Sequence, residues 1–122
     1  MARFVIRATD TGVKFDLETT SGETIVTSEV YKAKAACRAG IRSVIKNVRM
    51  AGIEDQTQMD YERLRNPKFE IYEDQKGAFR FRLRAMNGQI IASGAPCSDQ
   101  AACMQAIESI KKDAPIAPII ET

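Results

Sequence analysis

Apolar and polar residues alternate along this chain with two different periods, and each period occurs twice. Phe69 and Ile71 alternate with Glu70 and Tyr72, and Phe81, Leu83 and Ala85 alternate with Arg80, Arg82 and Arg84. A two-residue period places every second side chain on one face of a strand. Between these runs Asp74-Gln75-Lys76-Gly77 has turn chemistry, and Asn87-Gly88 predicts a two-residue type I′ hairpin, because both residues tolerate positive φ. Residues 89–94 supply a third strand. Nearer the start, Phe4/Ile6, Asp10-Thr11-Gly12, Phe15/Leu17 and Ser21-Gly22 repeat the same order of strand, turn, strand and turn.

The period then lengthens. Cys37, Ile41, Val44 and Val48 fall at i, i+4, i+7 and i+11, as do Cys103, Ile107, Ile110 and Ala114, which predicts two helices with one apolar stripe each. Ser98 reads as the N-cap of the second, with Asp99 in its positive first turn, and Lys111, Lys112 and Pro115 mark its far end. A short β-like piece follows each helix, Gly52-Ile53-Glu54-Asp55 and Ile119-Ile120-Glu121.

Self-comparison explains why everything happens twice. A shift of 66 lays residues 14–48 on residues 80–114 without a gap, with ten of 35 positions identical, against about two expected from ordinary composition. The matches include Phe15/Phe81, Leu17/Leu83, Gly22/Gly88, Cys37/Cys103 and Ile41/Ile107. Upstream the shift becomes 65, matching Phe4/Phe69, Ile6/Ile71 and Gly12/Gly77, which implies a one-residue difference inside a hairpin loop.

The expected fold class is therefore α+β, with two tandem β-β-β-α-β repeats. Repeat one spans 1–56, a polar connecting segment 57–67, and repeat two 68–122. A single sixty-residue repeat would leave an apolar sheet edge and helix flank uncovered, whereas two can cover each other. One continuous, mainly antiparallel sheet with both helices on one face and an approximate twofold axis is expected, as a single domain.

The residues that carry this pattern resemble a known family. Phe69-Glu70-Ile71-Tyr72, Phe81-Arg82-Leu83, Asn87-Gly88-Gln89-Ile90-Ile91-Ala92-Ser93, Ser28-Glu29-Val30-Tyr31-Lys32-Ala33-Lys34 leading to Gly40-Ile41-Arg42-Ser43-Val44, and Lys111-Lys112-Asp113-Ala114-Pro115 are similar to the YegP-like proteins. The resemblance covers nearly the whole chain. It implies that the last strand of each unit is exchanged onto the other half, and it brings no known function. Copy two departs from the pattern at Pro96-Cys97-Ser98-Asp99-Gln100, where the tyrosine and lysines of Tyr31-Lys32-Ala33-Lys34 are missing.

Composition narrows the functions. The 122 residues contain no histidine, which removes His-based triads, HExxH-type zinc sites and the usual general base near pH 7. Eighteen basic against sixteen acidic residues leave +2, too little to name an acidic partner from the total. The three cysteines show no CxxC spacing, and neither a disulfide framework nor a zinc knuckle is suggested. No signal peptide or membrane span is read, and a cytoplasmic protein with reduced thiols is expected. No cofactor is expected.

The most visible polar feature is the row Arg80, Arg82, Arg84, on the strand face away from the helices. It could contact an anion or nucleic acid beside an exposed Tyr72. The plainer reading is cross-strand pairing with Asp16 and Glu18, the corresponding positions of copy one. Tyr31, Lys32 and Lys34 stand before the first helix, where a phosphate or carboxylate could sit, although no Gly-rich loop accompanies them. Cys37 and Cys103 read as packing residues, and Cys97 as the single candidate for thiol chemistry. Glu54, Asp55, Asp60 and Glu62 read as surface acids. The leading expectation is a non-enzymatic binding or interaction module that uses the open sheet face or its edges. Its partner would be another protein or a second copy. Nucleic-acid binding through the arginine strand is the alternative, followed by thiol chemistry at Cys97.

Overall fold

The computed structural model describes residues 2–122. Its elements are β1 (Ala2–Ala8), β2 (Val13–Thr19), β3 (Thr24–Thr27), α1 (Lys34–Val48), β4 (Gly52–Asp55), β5 (Lys68–Glu73), β6 (Phe79–Arg84), β7 (Ile90–Gly94), α2 (Gln100–Asp113) and β8 (Ile119–Glu121). The β-β-β-α-β order occurs twice. All eight strands form one sheet in the order β4-β5-β6-β7-β3-β2-β1-β8. Read from either end, that order is the last strand of one unit followed by the first, second and third strands of the other. Both exchanged strands pair in parallel, β4 on β5 and β8 on β1, while the remaining pairs are antiparallel.

The two units meet at β3 and β7, where Thr27 pairs with Ser93. These residues occupy equivalent positions of the repeat. An antiparallel pair of equivalent residues is what a local twofold axis produces.

Hairpin geometry corrects one detail of the turns. The Ala85 N–H donates to Gln89 O and the Gly88 N–H to Ala85 O, which encloses a three-residue loop, Met86-Asn87-Gly88. Positive φ is confined to Gly88 at 86° and does not extend to Asn87, so this is a turn closed by a left-handed glycine and not type I′. Thr20-Ser21-Gly22 and Gln75-Lys76-Gly77 close in the same way, with Gly22 at 93° and Gly77 at 83°. The β1–β2 hairpin is one residue shorter, since the Thr9 N–H donates to Gly12 O around Asp10-Thr11. The shift from 65 to 66 therefore does arise in this loop. Gly12 corresponds spatially to Ala78, and Gly77 is the extra residue.

One apolar core lies between the sheet and both helices. From the strands it takes Phe4, Ile6, Phe15, Leu17, Phe69, Ile71, Phe81 and Leu83, and from the helices the two predicted stripes, including Cys37, Ile41, Cys103 and Ile107. Because one face of each of β1 to β7 joins this single cluster, both helices lie on the same side. Phe4 meets Phe15 edge-on at 5.9 Å, and the corresponding pair Phe69–Phe81 lies at 6.4 Å. The N-cap of α2 is Asp99 rather than Ser98, its side chain accepting from the Ala102 N–H at 2.8 Å. The Asp99 carboxylate thereby satisfies one of the helix's unpaired donors directly. At α1 the corresponding residue is Ala33, with no side-chain cap.

Candidate functional site

The sheet face opposite the helices carries the chemistry singled out in the sequence. Strand register aligns a transverse row there: Glu54, Glu70, Arg82, Ser93, Thr27, Asp16, Val5 and Ile120. Arg80, Arg82 and Arg84 do share this face, and each donates its Nε–H to a carboxylate. Arg82 and Arg84 donate to the same Glu70 oxygen at 2.6 and 2.8 Å, and Arg80 to Asp74 at 2.7 Å. Arg84 also donates to Gly88 O, and the Arg82 guanidinium lies 4.4 Å from the centre of the Tyr72 ring. Tyr72 is thus half-buried beneath an arginine and not a free stacking surface.

Cross-strand pairing is therefore present, but with different partners from those expected. Asp16 and Glu18 lie on β2, separated from β6 by β3 and β7. They belong to a network of their own, in which Arg7 reaches Asp16 at 3.0 Å and Glu18 at 2.5 Å, Lys14 reaches Asp16 at 3.3 Å and Arg3 reaches Glu18 at 3.7 Å. Unit one places its cations mainly on the first strand and its acids on the second. Unit two places its main acid, Glu70, on the first strand and its arginines on the second. The same strand pair is used in both units with the charges interchanged.

In both networks the acids form the floor and the long basic side chains the roof. Glu70 is 5% exposed at its side chain against 25% for Arg82. Burial works against the Glu70 charge, but Arg82 and Arg84 outweigh it and hold the carboxyl below its ordinary range.

Glu54 requires a correction, since it is a buried acid and not a surface one. Pairing of β4 with β5 brings it beside Lys68, whose Nζ donates at 2.7 Å, and the connecting segment folds back to add the Leu64 N–H and Gln56 Nε2, also at 2.7 Å. Burial opposes ionisation, yet these donors prevail and hold its carboxyl at about 2. Asp55, half-buried, accepts from Thr57 and from Gln100 at the start of α2. Sequence reasoning missed this cluster because Leu64 donates from a segment with no periodicity and Lys68 from the strand beyond it.

Tyr31 and Cys97 occupy equivalent bridges, Val13–Tyr31 and Phe79–Cys97. The Tyr31 ring stacks on Phe15 at 6.3 Å, and its hydroxyl fills the space where a side chain on Gly40 would lie: a Cβ there would be 2.3 Å away. At the corresponding places unit two has Cys97 and Ala106. A large residue facing a small one has been replaced by two of middling size, a packing account of the Cys97 departure. Cys37 and Cys103 are buried in the core, and burial, with Cys97 alongside, pushes the Cys103 thiol up to about 12. At neutral pH it is a thiol and a poor nucleophile. Among the described residues no three His, Cys, Asp or Glu side chains form a metal-ligating group.

Lys32 is exposed before α1. Lys34 meets Glu121 of β8 at 3.3 Å, and Arg38 clamps the other oxygen of the same carboxylate. The helix start is thus bound to the chain's own last strand. A feature that the sequence reading passed over continues from there. Lys34, Arg38, Arg42, Lys46 and Arg49 follow one another along α1, and residues 34–49 contain no acid. The whole-chain balance of +2 averages this stripe with acids elsewhere, whereas the four-residue spacing is present in the sequence.

These features define an α+β protein of two like units on one eight-stranded sheet, its outer face closed by two internal ion-pair networks. The family described as "Domain of unknown function (DUF1508)" matches residues 3–55 and 74–121, and the chain belongs to it. The UPF0339 protein PA0329 of Pseudomonas aeruginosa is 33% identical over 109 residues, 89% of this chain and 86% of that protein. YegP of Escherichia coli O157:H7 is 36% identical over 90 residues, 71% of this chain and 66% of that protein. A UPF0339 protein of Treponema denticola is 50% identical over 54 residues, 44% of this chain but 93% of the relative, which is the length of one unit. The solution structure of YegP from E. coli superposes with a TM-score of 0.76 at 26% identity, covering 99% of this chain and 92% of that one. The resemblance to YegP-like proteins thus holds for sequence and fold. No helix among the described residues is long and apolar enough to cross a membrane.

Proposed function

We propose that this protein is a non-enzymatic interaction module that associates through the β8 edge of its sheet, with a second copy of the chain as partner. The contrast between face and edge carries this reading. The outer face pairs its acids and bases within the chain. The β8 edge pairs with β1 on one side only, and it carries Ile119 and Ile120, 43% and 38% exposed. An open strand edge with apolar side chains is a template for another strand. At the opposite end of the sheet, the connecting segment folds over β4 and sets Leu64 against Gly52. Glu121, held by Lys34 and Arg38, keeps β8 extended and in place.

The alternative of nucleic-acid or anion binding at β6 has less support, because each arginine there is already engaged by Glu70 or Asp74. Thiol chemistry at Cys97 has less support, because the hydrogen bond of its thiol among the described residues is to the backbone Ala95 O, and the exchange with Tyr31 accounts for the residue by packing. Light scattering over a concentration series tests the reading. A molar mass that rises toward the dimer, and that Ile120→Lys returns to the monomer, is expected. A strict monomer at high micromolar concentration would remove the self-association.

A further inference from the structure

We propose that the exposed stripe of α1 built from Arg42, Lys46 and Arg49 is a docking surface for an acidic segment of a partner protein. Two observations carry this. First, the helix already shows how it handles a carboxylate: Lys34 and Arg38, four residues apart, clamp Glu121 between them. The next pair at that spacing, Arg42 and Lys46, repeats the arrangement about two turns on. Yet among the described residues none of Arg42, Lys46 and Arg49 has an acidic partner within ion-pair distance. An i to i+4 step along a helix is about 6 Å, so the pair can hold carboxylates one after another along an extended segment.

Second, the cations form a ridge between two shallow grooves, one of them with an apolar floor. One groove, of about 420 Å³, is lined by Ile45, Met50 and Arg49 beside the ridge. The other, of about 430 Å³, runs between α1 and the β6–β7 turn and is mixed, with Ala85 and Met86 beside Ser43, Asn47 and Asn87. Met50 is 53% exposed and Met86 62%. Flexible methionines beside cations accept an apolar side chain while the rim holds acids. The uniform positive sign excludes a second copy of α1 as occupant, since like charges would face each other. A nucleic-acid backbone would use the cations and leave the apolar floor at Ile45 and Met50 unfilled, and no aromatic residue lines either groove for base stacking. Acids combined with an apolar anchor use both parts.

The test is a fluorescence-anisotropy titration of the full chain with a short labelled peptide of Glu and Asp with a central Leu. Parallel titrations use the same peptide with Ser for Leu, a single-stranded oligothymidylate, and vesicles containing phosphatidylserine. Expected is saturable binding of the Leu peptide that weakens with salt and with the Ser peptide. It should fall about tenfold or more in Arg42→Gln/Lys46→Gln, the scale of two lost charge contacts. It should persist in Lys76→Gln/Lys112→Gln, which removes the same charge elsewhere, with the fold of both variants checked by circular dichroism. No saturable binding, equal losses in both double variants, or tighter binding of oligothymidylate or vesicles than of the Leu peptide would each overturn the proposal.

Discussion

Arg82 and Asp16 stand at equivalent positions of the two units and in the same transverse row of the sheet, carry opposite charges, and are kept apart by Ser93 and Thr27. Each finds its counter-charge on the next strand outward, Glu70 for Arg82 and Arg7 for Asp16. The outer face is thus two self-contained networks of opposite polarity on either side of an uncharged seam, rather than one basic surface. Its stability follows from these pairings.

Removal of the Glu70 charge should be costly, because one carboxylate serves Arg82, Arg84 and Lys68. Glu70→Gln is expected to lower stability by about 1–3 kcal/mol, the usual range for an unsatisfied buried charged hydrogen bond. Asp74→Asn, which affects the less buried pair with Arg80, should lose clearly less. Urea unfolding of the two variants side by side decides it; equal losses would mean that burial beneath the arginine roof does not matter.

Glu54 sets an acid limb. Its carboxyl is lowered from an ordinary 4.5 to about 2, so its stabilisation is fully present above the unfolded value and is lost as pH falls through the folded one. The shift corresponds to on the order of 3 kcal/mol. Urea midpoints measured from pH 7 down to pH 2 should decline for the natural chain. Glu54→Gln should start lower at pH 7 and decline less steeply below about pH 4.5. Parallel curves for the two would contradict the assignment.

The exchange of Tyr31 with Gly40 for Cys97 with Ala106 should be reproducible by mutation. Gly40→Ala places a methyl group against the Tyr31 hydroxyl and should cost about 1–3 kcal/mol by overpacking. In the Tyr31→Cys background the same change should be neutral or stabilising, since alanine is otherwise the better helix residue. A double-mutant cycle measures the coupling, expected to be at least about 0.5 kcal/mol. Additive losses would mean that the two sites do not share their space.

The repeat, both helix stripes and all eight strands were legible because they rest on periodicity, which local sequence carries directly. The interior of the candidate site was less so. Asp16 and Glu18 were assigned to the arginines because repeat equivalence shows which positions correspond but not which strands are neighbours; β3 and β7 intervene. Glu54 read as a surface acid because its donor Leu64 lies within an aperiodic loop and Lys68 on its far side. Asn87-Gly88 suggested a tighter hairpin, whereas the loop takes in Met86 and needs left-handed geometry only at Gly88.

Exchange of β4 and β8 between the units has a thermodynamic consequence. We propose that residues 1–56 and 68–122, linked by 57–67, form one cooperative domain, because each unit's outer strand completes the sheet of the other. Heat unfolding followed at a probe in each unit should give coincident transitions. Two separate midpoints would show that the halves are stable independently.

The claim that the outer face is closed on itself is tested most directly by NMR observation of the arginine Nε–H groups. Arg80, Arg82 and Arg84 each donate this hydrogen to a carboxylate. Their signals should be resolved at neutral pH, exchange slowly with water, and stay unchanged when a polyanion such as an oligonucleotide is added. Rapid exchange of all three, or shifts on addition of the polyanion, would contradict the account and make the arginine row a binding surface.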